Sequence, residues 1–328
     1  MSLDLETLIF SVGFGLAGAV GALWWLTVEP RFSRRPARIT AEIDPARLER
    51  HVRTISMELG PRDHEHPESL DGVARYIAIE LRSAGLLVED QRFQINGVPY
   101  RNVIASAGPD SKERIVVGAH YDTCGPLPGA DDNASGVAGL IELGRVLAKH
   151  PPPVRVELVA FCLEEPPYFQ TEGMGSAIHA ESLRAEGIPV RFMISLEMLG
   201  YFSSSPGSQR YPARFLSWFY PTIGDFVGVV GTFGQKGLTG SFREWMKAAC
   251  AVPVVSITAS RLLPGIDYSD HRNYWNRGIP ALMVTDTSFY RNASYHTAGD
   301  TSDTLDYVKM AEVVRGVANA VMEGAHSA

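Results

Sequence analysis

The sequence predicts an α/β protein, a three-layer α/β/α sandwich in which a largely parallel sheet lies between two layers of helices. Short runs rich in Val, Ile, Leu and Phe alternate with longer runs whose apolar residues have helical spacing. Strands that alternate with helices favour a parallel sheet covered on both faces. Apolar residues make up 45% of the chain and charged residues 20%, which is the composition of an ordinary globular protein.

The elements follow one another in a regular order. Helical spacing is present in residues 45–59 and 68–84. Strand candidates then follow at Arg114–Ala119, Val154–Phe161, Phe192–Leu196, Phe226–Gly231, Val254–Thr258 and Ala281–Thr285. Helix candidates lie between them at Ala134–Lys149, Gly175–Glu186, Thr239–Cys250, Asp270–Asn276 and Tyr307–Met322. Residues 201–222, rich in Ser, Pro and aromatic side chains, have the composition of a long loop or lid.

The N-terminal region predicts a membrane anchor. Residues 7–28 carry no charge and include the pair Trp24-Trp25. About 20 apolar residues cross a bilayer as a helix, and tryptophan is frequent at the membrane interface. We therefore expect one transmembrane helix in residues 1–29, a linker in residues 30–40 and a catalytic domain in residues 41–328.

Two alternatives to the anchor are a cleaved signal peptide and a buried core helix. A signal peptide needs a basic start, whereas this chain begins with Asp4 and Glu6. Arginines at 31, 34, 35 and 38 follow the apolar run. By the positive-inside rule, we expect a single-pass membrane protein with its catalytic domain in the cytoplasm.

Charge and cysteine content exclude two classes of protein. The net charge of −7 argues against a nucleic-acid-binding protein, which usually has a basic patch. The three cysteines are odd in number and widely spaced, so they do not form a disulfide framework.

Polar residues end several of the apolar runs, and in open α/β sheets the chemistry lies at the carboxyl ends of the strands. The first run ends in His120, with Asp122 two residues later. Imidazole suits zinc, and a nearby carboxylate can accept the second ring N–H. The segment GADDNASG then places Asp131 and Asp132 before a helix. One aspartate is explained by helix capping, and the second suggests a carboxylate held against a cation.

Two further runs end in glutamates. Glu164 and Glu165 follow a buried strand, and adjacent carboxylates repel each other unless a positive charge lies near. A metal ligand beside a general base meets that need, and a solvated acidic turn is the alternative. Glu197 interrupts an apolar run, where a carboxylate is costly unless it is paired or binds a metal. Later segments containing Asp270-His271 and Tyr295-His296 supply more polar groups.

Together these segments resemble the co-catalytic zinc exopeptidases, which include bacterial leucyl aminopeptidase, glutamate carboxypeptidase II and glutaminyl cyclase. The resemblance covers residues 99–304 and implies a mixed, largely parallel sheet. It implies Zn²⁺ as the cofactor, with two ions per chain expected and one as the alternative. The ligands that it implies are His120, Asp132, Glu165, Glu197 and His296.

The resemblance also implies the roles of the remaining residues. Glu164 is similar to the general base, Asp122 to the partner of the ligand histidine, and Tyr295 to a residue that helps to hold the oxyanion. Asp270 and His271 resemble substrate-side residues, although His271 could equally begin a helix in the core. We therefore expect an aminopeptidase-type enzyme that hydrolyses peptides with a metal-activated water.

The chain departs from the family's commonest pattern in two places. Glu197 stands where many members have Asp, and Pro166-Pro167 follow the glutamate pair. A weaker second zinc site leaves a one-zinc transferase similar to glutaminyl cyclase as an alternative. A non-enzymatic membrane protein that retains the fold is another, although neither the ligands nor the base are missing. A calcium module is disfavoured because calcium prefers oxygen ligands and two histidines are present.

Overall fold

A computed structural model describes residues 41–327 without a gap, together with residues 37–39 and positions 13, 15, 18–22, 24 and 25. Within the continuous range, eight strands form one mixed sheet. They are β1 Leu87–Ile95, β2 Val98–Ala107, β3 Arg114–His120, β4 Arg155–Phe161, β5 Val190–Glu197, β6 Val227–Thr232, β7 Val254–Ala259 and β8 Ala281–Thr285.

The sheet has a parallel centre with antiparallel additions on both sides. Its strand order is β1-β2-β4-β3-β5-β8-β6-β7. Strands β4, β3, β5 and β8 run parallel to their neighbours in that order. Strand β2 pairs antiparallel with β4, and β6 pairs antiparallel with β8. The carboxyl ends of the four central strands therefore meet at one edge of the sheet.

Helices cover both faces of the sheet. They are α1 Pro45–Arg53, α2 Pro67–Ser83, α3 Gly136–Lys149, α4 Gly175–Ala185, α5 Lys236–Lys247, α6 His271–Trp275 and α7 Tyr307–His326. Helices α1, α2, α3, α5 and α7 pack into one hydrophobic cluster, and α4 and α6 pack into a second. The alternation of β3 separates the two, because Ile115 and Val117 lie in the first cluster and Val116 in the second. The predicted three-layer arrangement is thus observed.

The six predicted strands are present within a few residues of their expected bounds. The hairpin of β1 and β2 was not predicted. Its first strand, LVEDQRFQI, lies at the sheet edge with no buried residue, so it lacks the continuous apolar run that marks the central strands. Helix α3 begins at Gly136, later than expected, because the backbone angles of Asp132 and Asn133 are non-helical and separate the turn Ala130–Ser135 from the helix.

The membrane prediction is corrected. No helix in the described part of the chain is long and apolar enough to cross a bilayer, and this finding contradicts the expected single-pass location. The expected cytoplasmic orientation depended on that helix and is withdrawn with it. Most of the apolar run in residues 7–28 lies outside the described residues.

Candidate metal centre

The carboxyl edge of the central strands brings the predicted ligands together. His120 ends β3 and Glu197 ends β5. Glu165 follows β4, and Asp132 lies in the turn before α3. All four side chains are buried, although the last ligand, His296, lies in a loop and is partly exposed.

Asp132 lies between the two histidines. Its Oδ1 is 3.3 Å from Nε2 of His120, and its Oδ2 is 3.0 Å from Nε2 of His296. Each histidine has one further carboxylate beside it. Nε2 of His120 lies 3.5 Å from Oε2 of Glu197, and Nε2 of His296 lies 3.2 Å from Oε1 of Glu165. The five side chains therefore form two groups of ligand atoms that share Asp132.

Asp122 contacts both His120 and the segment that carries the glutamate pair. Its carboxylate accepts hydrogen bonds from the backbone N–H groups of Glu164 and Glu165, at 3.1 and 3.0 Å. Its Oδ1 lies 3.5 Å from Nδ1 of His120, and its backbone oxygen lies 3.3 Å from the same nitrogen. Asp122 thus connects the end of β3 to the glutamate pair as well as to the histidine.

The loop that carries Asp132 is held by two residues that the sequence interpretation did not assign. The carboxylate of Asp300 accepts the backbone N–H groups of Asp131 and Asp132 at 3.0 and 3.1 Å. Arg62 is fully buried and donates to the backbone oxygens of Pro128 and Gly129. Asp300 could have been suspected from its position in the segment HTAGD, whereas nothing around Arg62 in the sequence indicates burial.

Asp131 has a different role from the helix cap that the sequence suggested. Its carboxylate accepts the backbone N–H of Gly200 and the side-chain N–H of Asn292, both at 3.0 Å. Asn133 instead meets the start of α3, because its Oδ1 accepts the N–H of Gly136 at 3.0 Å. Asp131 therefore joins the turn to the loops beyond β5 and β8.

Burial and mutual repulsion dominate the electrostatics of the carboxylates. Burial raises the pKa of Glu164 well above its usual value, the nearby His120 opposes that shift, and Glu165 and Glu197 add to it. Burial, with the charge of Asp132, raises the pKa of Glu165 to about 7. Burial would also raise the pKa of Asp132, but the two histidines outweigh it and hold this pKa below its usual value. Such a concentration of buried carboxylates calls for a compensating cation.

For the two histidines, burial lowers the pKa and the neighbouring carboxylates raise it. Burial alone would lower the pKa of His296, but Asp132 and Glu165 raise it to about 10. Burial is likewise outweighed at His120, where Glu197 and Glu164 raise the pKa well above its usual value. Both shifts arise from the carboxylates that surround the two imidazole rings.

Left-handed backbone occurs at three of the segments that carry these residues. The φ angles are 64° at Leu163, 52° at Met198 and 55° at His296. Such conformations are unfavourable for residues other than glycine and tend to cluster at functional sites. They lie directly before the glutamate pair, directly after Glu197 and at the last predicted ligand.

A cavity of about 290 Å³ opens beside the cluster. Glu164, Glu197 and Tyr295 line its polar end, and the Tyr295 ring stacks on His296 with centroids 3.7 Å apart. Its other walls are mainly apolar and include Leu216, Tyr220, Phe226, Val230, Ile257 and Met283. Part of this wall comes from the loop at residues 201–222, which the sequence left without a role.

The two predicted substrate-side residues do not line this cavity, although the charge of Asp270 acts on His120, Glu164 and Glu197. His271 is fully buried, with its Nε2 2.8 Å from the backbone oxygen of Ile266 and its ring against Trp275. Asp270 is also fully buried, and burial raises its pKa to about 7. Ser269, which was not predicted, donates to Oε2 of Glu197 at 2.7 Å and so fixes that side chain.

The sequence profile described as peptidase family M28 matches residues 102–321, a range that contains all five clustered ligands. The chain belongs to peptidase family M28. Its members and this chain therefore share a peptidase-type hydrolase scaffold.

Relatives of this M28 chain include the uncharacterised protein YfbL of Escherichia coli. It is 46% identical over 281 residues, which are 83% of this chain and 86% of YfbL. Leucine aminopeptidase 1 of Coccidioides posadasii is 27% identical over 224 residues, 65% of this chain and 53% of the relative. The chain thus spans about half the length of that aminopeptidase.

Solved structures agree on the fold. A zinc aminopeptidase from Bacillus subtilis has a TM-score of 0.69 at 16% identity, and the match covers 85% of this chain and 94% of that one. Glutaminyl cyclases are also among the structures with this fold.

Proposed function

We propose that this M28 chain is a zinc-dependent aminopeptidase with two metal positions that share Asp132. The observation that carries the proposal is the pair of ligand groups at the carboxyl edge of the sheet. Ligand atoms of His120, Asp132 and Glu197 lie within 4.8 Å of one another, and Glu165 and His296 form the second group beside Oδ2 of Asp132.

The donor atoms fit zinc. Carboxylate oxygens and imidazole nitrogens are zinc ligands, whereas calcium favours oxygen alone. Oε1 of Glu165 and Nε2 of His296 have no hydrogen-bond partner although they lie 3.2 Å apart. Two polar atoms that approach without bonding are expected where both point at a common cation. The longer side chain of Glu197, in place of aspartate, still reaches 3.5 Å from His120.

Glu164 is the proposed general base. It lines the cavity, and its Oε2 lies 4.0 Å from Nε2 of His120. When bound, zinc would lower the pKa of a water molecule and polarise the scissile carbonyl. Glu164 would take a proton from the attacking water and deliver it to the leaving amine. Tyr295, beside the same end of the cavity, is proposed to steady the oxyanion.

The apolar cavity supports a substrate with a large apolar N-terminal residue. Its polar end contains the base, and most of its other wall, including Leu216, Phe226 and Met283, is apolar, with Arg210 as a charged side chain on it. An apolar wall with a few polar groups at one end is typical of specificity pockets.

Zinc stoichiometry and hydrolysis of an aminoacyl panel test the proposal on the full chain. We expect two zinc ions per chain and faster release of Leu than of Asp or Lys. Glu164→Gln should keep the zinc and reduce kcat by at least about 100-fold, since general-base catalysis contributes about 10²–10⁴. Glu65→Gln, at an exposed position, is the matched control. Undiminished hydrolysis by Glu164→Gln would exclude this base.

The same panel distinguishes a transferase similar to glutaminyl cyclase. Ammonia release from peptides with N-terminal Gln, with no amino acid released from Leu substrates, would replace the aminopeptidase proposal. A chain that binds no zinc and releases neither product would contradict both activities.

A further inference from the structure

Cys124 lies beside the second ligand group, and neither the sequence interpretation nor the proposed function uses it. Its Sγ, a carboxylate oxygen of Glu165 and a ring nitrogen of His296 lie within 4.8 Å of one another. Cys124 is reached from β3 by continuing four residues past His120. One short segment therefore passes both ligand groups.

Unpartnered atoms point to a ligand at this position. Glu165 is 4% exposed, and its Oε1 has no hydrogen-bond partner. Nε2 of His296 also lacks one, although it lies close to both Glu165 and Asp132. A buried acceptor without a donor costs about 1–3 kcal/mol, so these atoms are expected to face a bound cation.

A small cavity separates Cys124 from these atoms. Its volume is about 10 Å³, which is about the space that one water-sized species needs. Cys124, Asp132, Glu165 and His296 line it together. Asp132, Glu165 and His296 also line the large apolar cavity, whereas Cys124 does not. The thiol thus lies beside the second ligand group without lining the proposed substrate pocket.

Packing does not account for the thiol. Cys162 lies within the main hydrophobic cluster and Cys250 packs against it, whereas Cys124 belongs to no hydrophobic cluster of the described residues. All three thiols are free of disulfides.

We propose that Cys124 is a fourth protein ligand of the metal held by Asp132, Glu165 and His296. Resting on the proposed function, this inference makes the two metal positions unequal. Four protein ligands close a zinc site in the manner of structural sites, whereas the group of His120, Asp132 and Glu197 keeps a position open. Formation of the metal–sulfur bond releases the thiol proton to solvent. Exchange with water and substrate would then be confined to the side of His120, Glu197 and Glu164.

Cobalt substitution tests the metal–sulfur bond without measuring activity. The full chain, freed of metal and titrated with Co²⁺, should bind two ions and develop a sulfur-to-cobalt charge-transfer band in the near ultraviolet. Cys124→Ser should lose the band and bind one of the ions at least about 10–100-fold more weakly, as even outer-shell changes have effects of that size. Cys250→Ser, which alters a thiol remote from the centre, should keep both the band and the affinity.

The outcomes separate the two proposals. If the wild type binds no Co²⁺, the metal centre of the proposed function fails. If it binds two ions without the band, or if Cys124→Ser keeps the band, the centre stands and the role of Cys124 is refuted.

Alkylation of the wild type provides a second measurement that does not depend on the folding of a variant. The Cys124 sulfur displaces iodide from iodoacetamide and forms an S–C bond, and peptide mass spectrometry counts the product. Bound Zn²⁺ should slow this reaction at Cys124 at least about tenfold relative to Cys250 in the same sample. An equal rate with and without Zn²⁺ would overturn the inference.

Discussion

At the scale of single residues, the centre depends on side chains that hold the backbone of the ligand segments. Asp122 accepts two N–H groups at the glutamate pair, and Asp300 accepts two at the turn of Asp132. Each carboxylate therefore fixes the backbone of a segment that carries a candidate ligand. The ligands are therefore positioned before any metal binds.

His271 provides a residue-scale prediction about pH. Burial lowers its pKa to about 3, whereas in the unfolded chain it is about 6.5. Between these values the unfolded state binds the extra proton, so the contribution of His271 to stability falls as pH falls. His271→Asn removes this effect. The stability advantage of the wild type over the variant should shrink by about 2 kcal/mol between pH 7.5 and pH 5.

Urea denaturation at the two pH values measures that change. His150→Asn, at an exposed position at the end of α3, is the control and should differ from the wild type equally at both. A constant difference for His271→Asn would show that the ring is protonated in the native state.

At the scale of elements, the close approach of α3 to β5 sets the position of the turn that carries the proposed ligand Asp132. A Cβ added at Gly136 would lie 2.3 Å from Oδ1 of Asn133 and 2.6 Å from the backbone oxygen of Leu196. Gly136→Ala should therefore displace the turn that carries Asp132, lower the free energy of unfolding by about 1–3 kcal/mol and weaken zinc binding. Denaturation and zinc titration measure both effects.

A second glycine in a helix is the control for this prediction. Gly72 lies in α2, and an added Cβ there meets no atom within 4 Å. Gly72→Ala should raise stability by about 0.5–1 kcal/mol, because alanine loses less backbone entropy in a helix. If both variants behave alike, the contact of α3 with β5 does not position the turn.

Strand β6 forms part of the wall of the large cavity, so it permits a test of substrate size in the proposed pocket. Val227 and Val229 face the main hydrophobic cluster, whereas Gly228 and Val230 line the large cavity. Gly228→Leu should fill part of the cavity and raise KM for Leu substrates at least about tenfold relative to Ala substrates, since a methylene group in a pocket is worth about 1–3 kcal/mol. Gly228→Ala, whose Cβ would lie 3.5 Å from the nearest atom, should change this ratio little. An unchanged ratio in Gly228→Leu would place the N-terminal side chain elsewhere.

At the scale of the whole molecule, the proposed metal and the protons of the cluster would compensate the same negative charge. Without metal, burial raises the pKa of Glu165, Asp270 and Asp300 to about 7. Between about pH 4 and pH 7 the native state binds protons that the unfolded chain releases, so this contribution to stability is lost as pH rises through 7. Bound zinc should therefore stabilise the protein most at high pH, where these protons are lost.

Thermal unfolding with and without a chelator tests this dependence. Removal of zinc should lower Tm more at pH 8 than at pH 5.5. A difference of at least about 3 °C between the two shifts is expected, since about 1 kcal/mol corresponds to about 2–4 °C in proteins of 150–250 residues. Equal shifts at both pH values would contradict the charge compensation.

The sequence by itself determined the central strands, most of the helices and the set of candidate ligands. Apolar runs indicate strands buried in a parallel sheet, and polar residues at the ends of those runs indicate its carboxyl edge. His120 and Glu197, at the ends of β3 and β5, are clear examples. The edge strand β1 escaped prediction because its mixed polarity reflects exposure on both faces.

Only the tertiary structure decided which side chains support and flank the candidate centre. Arg62, Asp300 and Cys124 reach it through contacts between segments that are distant in the chain, as with Asp300 and Asp132 at 3.1 Å. The loop at residues 201–222 acquired a place as a cavity wall, and His271 proved to be buried against Trp275. Local sequence patterns record whether a residue is buried, whereas its neighbours across the fold depend on the packing of the whole chain.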